Sequence, residues 1–90
     1  MAQAVVDPDD LRRFAGMLRD FNADLQSRLQ ALNGQLNTLS QTWRDQENQK
    51  FAEEFSQHLR MASRFVEANA DHIPYLLRKA ERIEEYLQQR

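Results

Sequence analysis

The chain is predicted to be all-α: an antiparallel two-helix hairpin that pairs with another into a four-helix bundle dimer. Three observations predict this. Apolar residues recur in two long runs at steps of three and four, only three residues separate the runs, and the apolar stripes are wider than two helices can cover for each other. No stretch alternates with period two, so no strand is expected. Ninety residues, 41% apolar and 29% charged, with two glycines, two prolines and no cysteine, fit one domain spanning 1–90. A chain this short buries only about 60–65% of the surface its unfolded form exposes. Without cysteine, neither disulfides nor thiolate metal sites can compensate, and packing against a second chain is the remaining remedy.

Helix 1 is predicted over about 8–42. Its large apolar residues are Leu11, Phe14, Leu18, Phe21, Leu25, Leu29, Leu32, Leu36, Leu39 and Trp43, a heptad pattern with a four-residue insertion between Leu25 and Leu29. Asp7 suits the N-cap and Pro8 the first helical position, while Asp9 and Asp10 set negative charge against the positive end of the helix dipole. Asn33-Gly34 is a turn signal, but the register passes through it. It is therefore read as a helix weakened by about 1 kcal/mol.

Helix 2 is predicted over about 46–87. Phe51 and Phe55 lead into Leu59, Ala62, Val66, Asn69, Ile73, Leu76, Ala80, Ile83 and Leu87 at alternating steps of four and three. Pro74 lies off this seam without disturbing it, and a kink is expected just before it. The turn, Trp43-Arg44-Asp45, is short enough to force antiparallel neighbours. Folding there sets Leu36 opposite Phe55, Leu25 opposite Val66 and Leu11 opposite Ala80. Residues beyond about Arg82 then overhang helix 1. The expected dimer interface joins the overhanging Ile83, Tyr86 and Leu87 to Met17, Met61, Phe65 and Leu77, which lie beside the main seam.

Composition narrows the partners. A net charge of −2 with scattered basic residues lacks the concentrated positive face that nucleic acid requires. The longest apolar run is three residues (Ala4 to Val6), far below the roughly 20 of a membrane span. No charged-then-apolar leader is seen, so no cleaved signal peptide is expected.

The spaced leucines Leu32, Leu36 and Leu39, the Trp43-Arg44-Asp45 turn, and Phe51 and Phe55 at the opening of helix 2 together resemble the WXG (ESAT-like) helical-hairpin proteins, small substrates of type VII secretion. The resemblance covers nearly the whole chain. It implies a non-enzymatic protein that pairs with itself or with a related hairpin, engages a secretion ATPase, and carries a recognition residue at Trp43. The expected location is the cytoplasm, and any export would proceed without a cleaved signal peptide. Two departures stand out. The third turn position, Gly in the family, is Asp45, which can visit the left-handed region and also cap helix 2. The family's export signal, Tyr followed four residues later by an acid, is missing: Tyr75 is followed by Lys79 and Tyr86 by Arg90. Export is therefore expected to depend on a partner. The competing reading is a cytoplasmic helical adaptor or chaperone-like dimer that is never exported.

The remaining candidates have plainer readings. The plainer and preferred reading of Trp43 is a core plug closing the hairpin with Phe51 and Phe55, worth about 3–5 kcal/mol against alanine. His58 and His72 lie about 21 Å apart along one helix and cannot share a metal. No Glu-x-x-His pair marks a di-iron bundle, so no metal or cofactor is expected. Asn69 falls on the seam, where it either fixes register or stays wet. The stretch from Arg78 to Glu85 reads as a solvated face. Ser27, Ser40, Ser56 and Ser63 sit in helical registers without an oxyanion loop, and no catalytic residue is assigned.

Overall fold

The structure, a computed structural model, describes residues 6–89; of the domain drawn over 1–90, residues 1–5 and 90 lie outside them. Two helices account for nearly all of it, α1 (Pro8–Thr42) and α2 (Gln46–Gln88), with no strand among the described residues. Asp7 Oδ1 accepts the Asp9 N–H at 2.9 Å, and the Asp7 carbonyl takes the N–H groups of Asp10 and Leu11. This is an N-cap followed by proline in the first turn, where its missing donor costs nothing. α2 continues through Pro74 without interruption. The carbonyl that proline strands belongs to Ala70, which is exposed and open to water.

The helices run antiparallel, and cross-helix bonds fix their order. Arg12 pairs with Glu84, and Asn69 Nδ2 donates to Asn22 Oδ1 at 3.0 Å, so rising numbers on α1 meet falling numbers on α2. Asn22 opposite Asn69 is also the register in which Leu25 faces Val66 and Leu11 faces Ala80.

Packing divides into two compact units, α1 up to Asn22 with α2 from Ala68, and Ala23–Glu67 around the turn. In the first, Ala15 and Ala80 are 1% and 0% exposed, and Asn22 and Asn69 are 7% exposed each. Leu11, Leu18, Ile73, Leu76 and Ile83 around them are half-buried. In the second, Leu36 and Asn48 are buried, while Leu25, Leu29, Phe55, Leu59, Ala62 and Val66 are half-buried. No large side chain among the described residues is fully enclosed.

On α2, from Phe55 to Ile83, this is the seam the spacing predicts, while Phe51 and Leu87 at the ends of that series are exposed. On α1 it is not. Phe14, Phe21, Leu32 and Leu39 are exposed, Phe14 by 54%. The buried and half-buried series is instead Leu11, Ala15, Leu18, Asn22, Leu25 and Leu29, a regular alternation of four and three with no insertion before Leu29. Side-chain size explains the difference. Where two backbones approach closely, a small alanine or a paired amide fits the contact position, and phenylalanine is displaced to the flank. The overhang also starts later than expected, because Ile83 is half-buried and Glu84 is held by Arg12.

Gly34 lies mid-helix without a positive φ, and a Cβ there would meet no heavy atom within 4 Å. Gly34→Ala should therefore stabilise the chain by about 1 kcal/mol through helix propensity alone. Thermal melting checks this, with an expected rise in midpoint of roughly 4–8 °C.

Candidate functional site

The turn is built from polar bonds at both helix ends. At the end of α1 the Trp43 N–H reaches the Leu39 carbonyl at 2.9 Å, and Arg44 Nε donates to the Gln41 carbonyl at 2.8 Å. Arg44 thus supplies the cation that the last turn of α1 lacks, satisfying an orphan carbonyl at the negative end of the dipole. At the start of α2, Asp45 Oδ1 accepts the Asn48 N–H at 3.1 Å. Asn48 is itself buried, and its Oδ1 accepts from Ser40 Oγ at 3.3 Å, tying the last turn of α1 to the first of α2. Spacing could have flagged Asn48, which lies seven residues before Phe55 on the α2 seam. No described residue has a positive φ. The left-handed conformation expected for Asp45 is therefore not used, and this backbone has no need of glycine in the third turn position.

Three aromatic rings extend from the turn along α2. Trp43 and Phe51 have centroids 5.7 Å apart at 37°, and Phe51 stacks on Phe55 at 5.5 Å and 16°. Trp43 and Phe55 are half-buried and Phe51 is exposed. The ladder closes the turn on one side and leaves ring surface open on the other. Trp43 is too exposed for the full 3–5 kcal/mol of an enclosed aromatic.

The remaining exposed apolar residues are not spread evenly. Adding three residues on a helix steps to one flank of a seam, and adding four steps to the other. In an antiparallel pair the plus-three flanks of both helices lie on one face. In the unit of the chain ends, that face carries Phe14, Met17 and Phe21 on α1 and Tyr86 on α2, all exposed, beside the exposed His72 and Lys79 of α2. The opposite face carries the Arg12–Glu84 pair, together with Leu77, one heptad before Glu84. The hydrogen bond to Glu84 raises the Arg12 pKa above its usual value. Ile83 and Leu87 belong to the seam itself, and Leu87 is exposed.

The turn unit shows the same asymmetry. Leu32 and Leu39 on α1, with Phe51, Met61 and Phe65 on α2, are exposed along the plus-three flanks. The other face is an open groove of about 480 Å³, lined by Gln26, Gln30 and Asn33 opposite Ser56, Arg60 and Glu67, and also by the half-buried Leu29, Leu59 and Val66. His58 and His72 are exposed, and no three acidic, His or Cys side chains among the described residues stand close enough to hold a metal. No described helix is long and apolar enough to cross a membrane.

Two antiparallel helices joined at a tryptophan turn define a helical hairpin. The family model for proteins of 100 residues with WXG matches residues 3–88, and the chain belongs to this WXG100 family of small helical proteins associated with type VII secretion. It is not a family of enzymes. Neither a curated protein nor a solved structure matches the chain significantly.

The capping bond makes a direct expectation. Asp45→Ala should cost about 1 kcal/mol, whereas Asp45→Gly, which restores the family's residue, should cost a few tenths and gain nothing. Chemical denaturation of the three proteins gives the order; a more stable Asp45→Gly would mean that the turn needs glycine after all.

Proposed function

We propose that this chain is a non-enzymatic partner protein of type VII secretion, working as a hairpin that pairs through its apolar plus-three flanks with a second copy of itself. A related hairpin is the second choice of partner, and a secretion ATPase the further contact that family membership supports. The observation that carries the proposal is large apolar exposure on the plus-three flanks within each unit: Phe14, Met17, Phe21 and Tyr86 in the unit of the chain ends, and Leu32, Leu39, Met61 and Phe65 in the turn unit. Each is already about half covered, so a partner adds roughly 1 kcal/mol apiece, about half the value for full burial. Counted on both chains, this reaches the roughly 4–15 kcal/mol that association costs. Two-fold pairing is the commonest arrangement for identical chains and doubles every contact. In this proposal Met17, Met61, Phe65 and Tyr86 lie in the interface, Ile83 and Leu87 extend it from the seam, and Leu77 falls outside it.

The second reading, an adaptor that is never exported, is favoured by Lys79 and Arg90, which stand where the family's export signal has an acid. The two readings separate in a strain with the secretion machinery. Expressed alone the chain should stay inside the cell, and with a related hairpin that carries the tyrosine signal it should reach the medium. Retention in both cases leaves the adaptor; secretion alone rules out dependence on a partner.

Pairing has its own test. Light scattering at micromolar concentration should give the mass of a dimer, and Phe14→Ser with Met61→Ser should shift it to a folded monomer. A wild-type chain that runs as a folded monomer would refute the interface.

A further inference from the structure

We propose that the Asn22–Asn69 pair is a specificity element, holding α1 to its own α2 in a single register and rejecting slipped registers and purely aliphatic seams of other helices. Both side chains are 7% exposed, and the amide of one donates to the carbonyl oxygen of the other at 3.0 Å. Both lie on the seam, turned away from the flanks that carry the proposed interface. The pair is therefore independent of that reading.

The neighbouring seam residues do not discriminate. Leu11, Ala15, Leu18 and Leu25 on α1, and Ile73, Leu76, Ala80 and Ile83 on α2, form heptad stripes that many amphipathic helices would accept. The chain also displays exposed apolar residues beside these stripes, so wrong pairings are available to it. The turn sets register near residues 43–45, but Asn22 lies about 20 residues away along the chain. A slip of one heptad would set Asn22 against Leu76 and Asn69 against Leu29. Both amides would then stay out of water without each other. Stranding a buried polar group costs more than its hydrogen bond contributes when made. The pair thus acts chiefly by raising the energy of wrong pairings, as a buried asparagine does in a coiled coil.

The chain has no cysteine, so spin labels can report the register directly. Asp10→Cys and Glu81→Cys place them on exposed positions that oppose each other in the native register, and dilution with unlabelled chain removes intermolecular signal. With the asparagines present, pulsed electron resonance should give one narrow distance. With Asn22→Leu and Asn69→Leu combined, helical content should be retained and the melting midpoint hold or rise. The distance distribution should at least double in width or acquire a second maximum. Asn22→Leu alone should lower the midpoint, because Asn69 then faces an aliphatic side chain. An unchanged narrow distance in the double variant overturns the proposal. So does loss of helix in the double variant, since a leucine-filled seam must fold at least as well.

Discussion

Two helices can hide only one stripe of each from water, and the rest of this structure follows from that limit. Among the described residues the buried side chains are two alanines, one leucine and three asparagines, and no large side chain is fully enclosed. There is no centre into which a phenylalanine could be enclosed. Ala15 and Ala80 occupy the most buried positions, where small side chains suit helix contact, and the bulky residues lie out on the flanks. Surface charge does little to offset this. The Arg13–Asp10 and Arg28–Asp24 pairs are exposed and lie within one helix, where each is worth well under about 1 kcal/mol.

Most of the fold was legible because helices announce themselves locally. Asp7-Pro8 and Asp45 mark where each helix starts, and the three-residue break dictates antiparallel neighbours. The α2 seam was legible too, since its contact positions hold mainly aliphatic residues. The α1 seam was not, because a reading that follows the largest apolar residues passes over Ala15 and Asn22 and selects Phe14 and Phe21 instead. Periodicity reports that a stripe exists, but the partner's approach decides which edge of it is buried. The turn was placed correctly while two of its bonds were missed. Arg44 on the Gln41 carbonyl and Ser40 on Asn48 are polar contacts with no periodic signature. Glu84 stood within a stretch read as solvated, and only the partner helix brings Arg12 to it.

The turn also shows how a family position can change residue without changing architecture. Glycine is required where the backbone enters the left-handed region, and no described residue does so. Asp45 has a different task, accepting the Asn48 N–H at the start of α2. Arg44 takes the complementary one at the end of α1. One orphan group at each of the adjacent helix ends is thereby met by a side chain, and the aromatic ladder of Trp43, Phe51 and Phe55 is free to serve as surface as well as support.

In the two proposals, affinity and selectivity fall to different faces of the same helices. The plus-three flanks carry large apolar groups beside the exposed His58, His72 and Lys79, and the apolar groups attract a complementary surface in proportion to area. Such a surface discriminates poorly, because aliphatic and aromatic groups tolerate many arrangements. The seam is the reverse. It buries little area, but its amides must meet a specific partner or lose their hydrogen bonds. A chain that kept only the flanks would bind and mispair, and one that kept only the seam would be too weakly held to persist. A stable internal register lets the flank present its residues in a fixed order, which a second hairpin needs before it can match them.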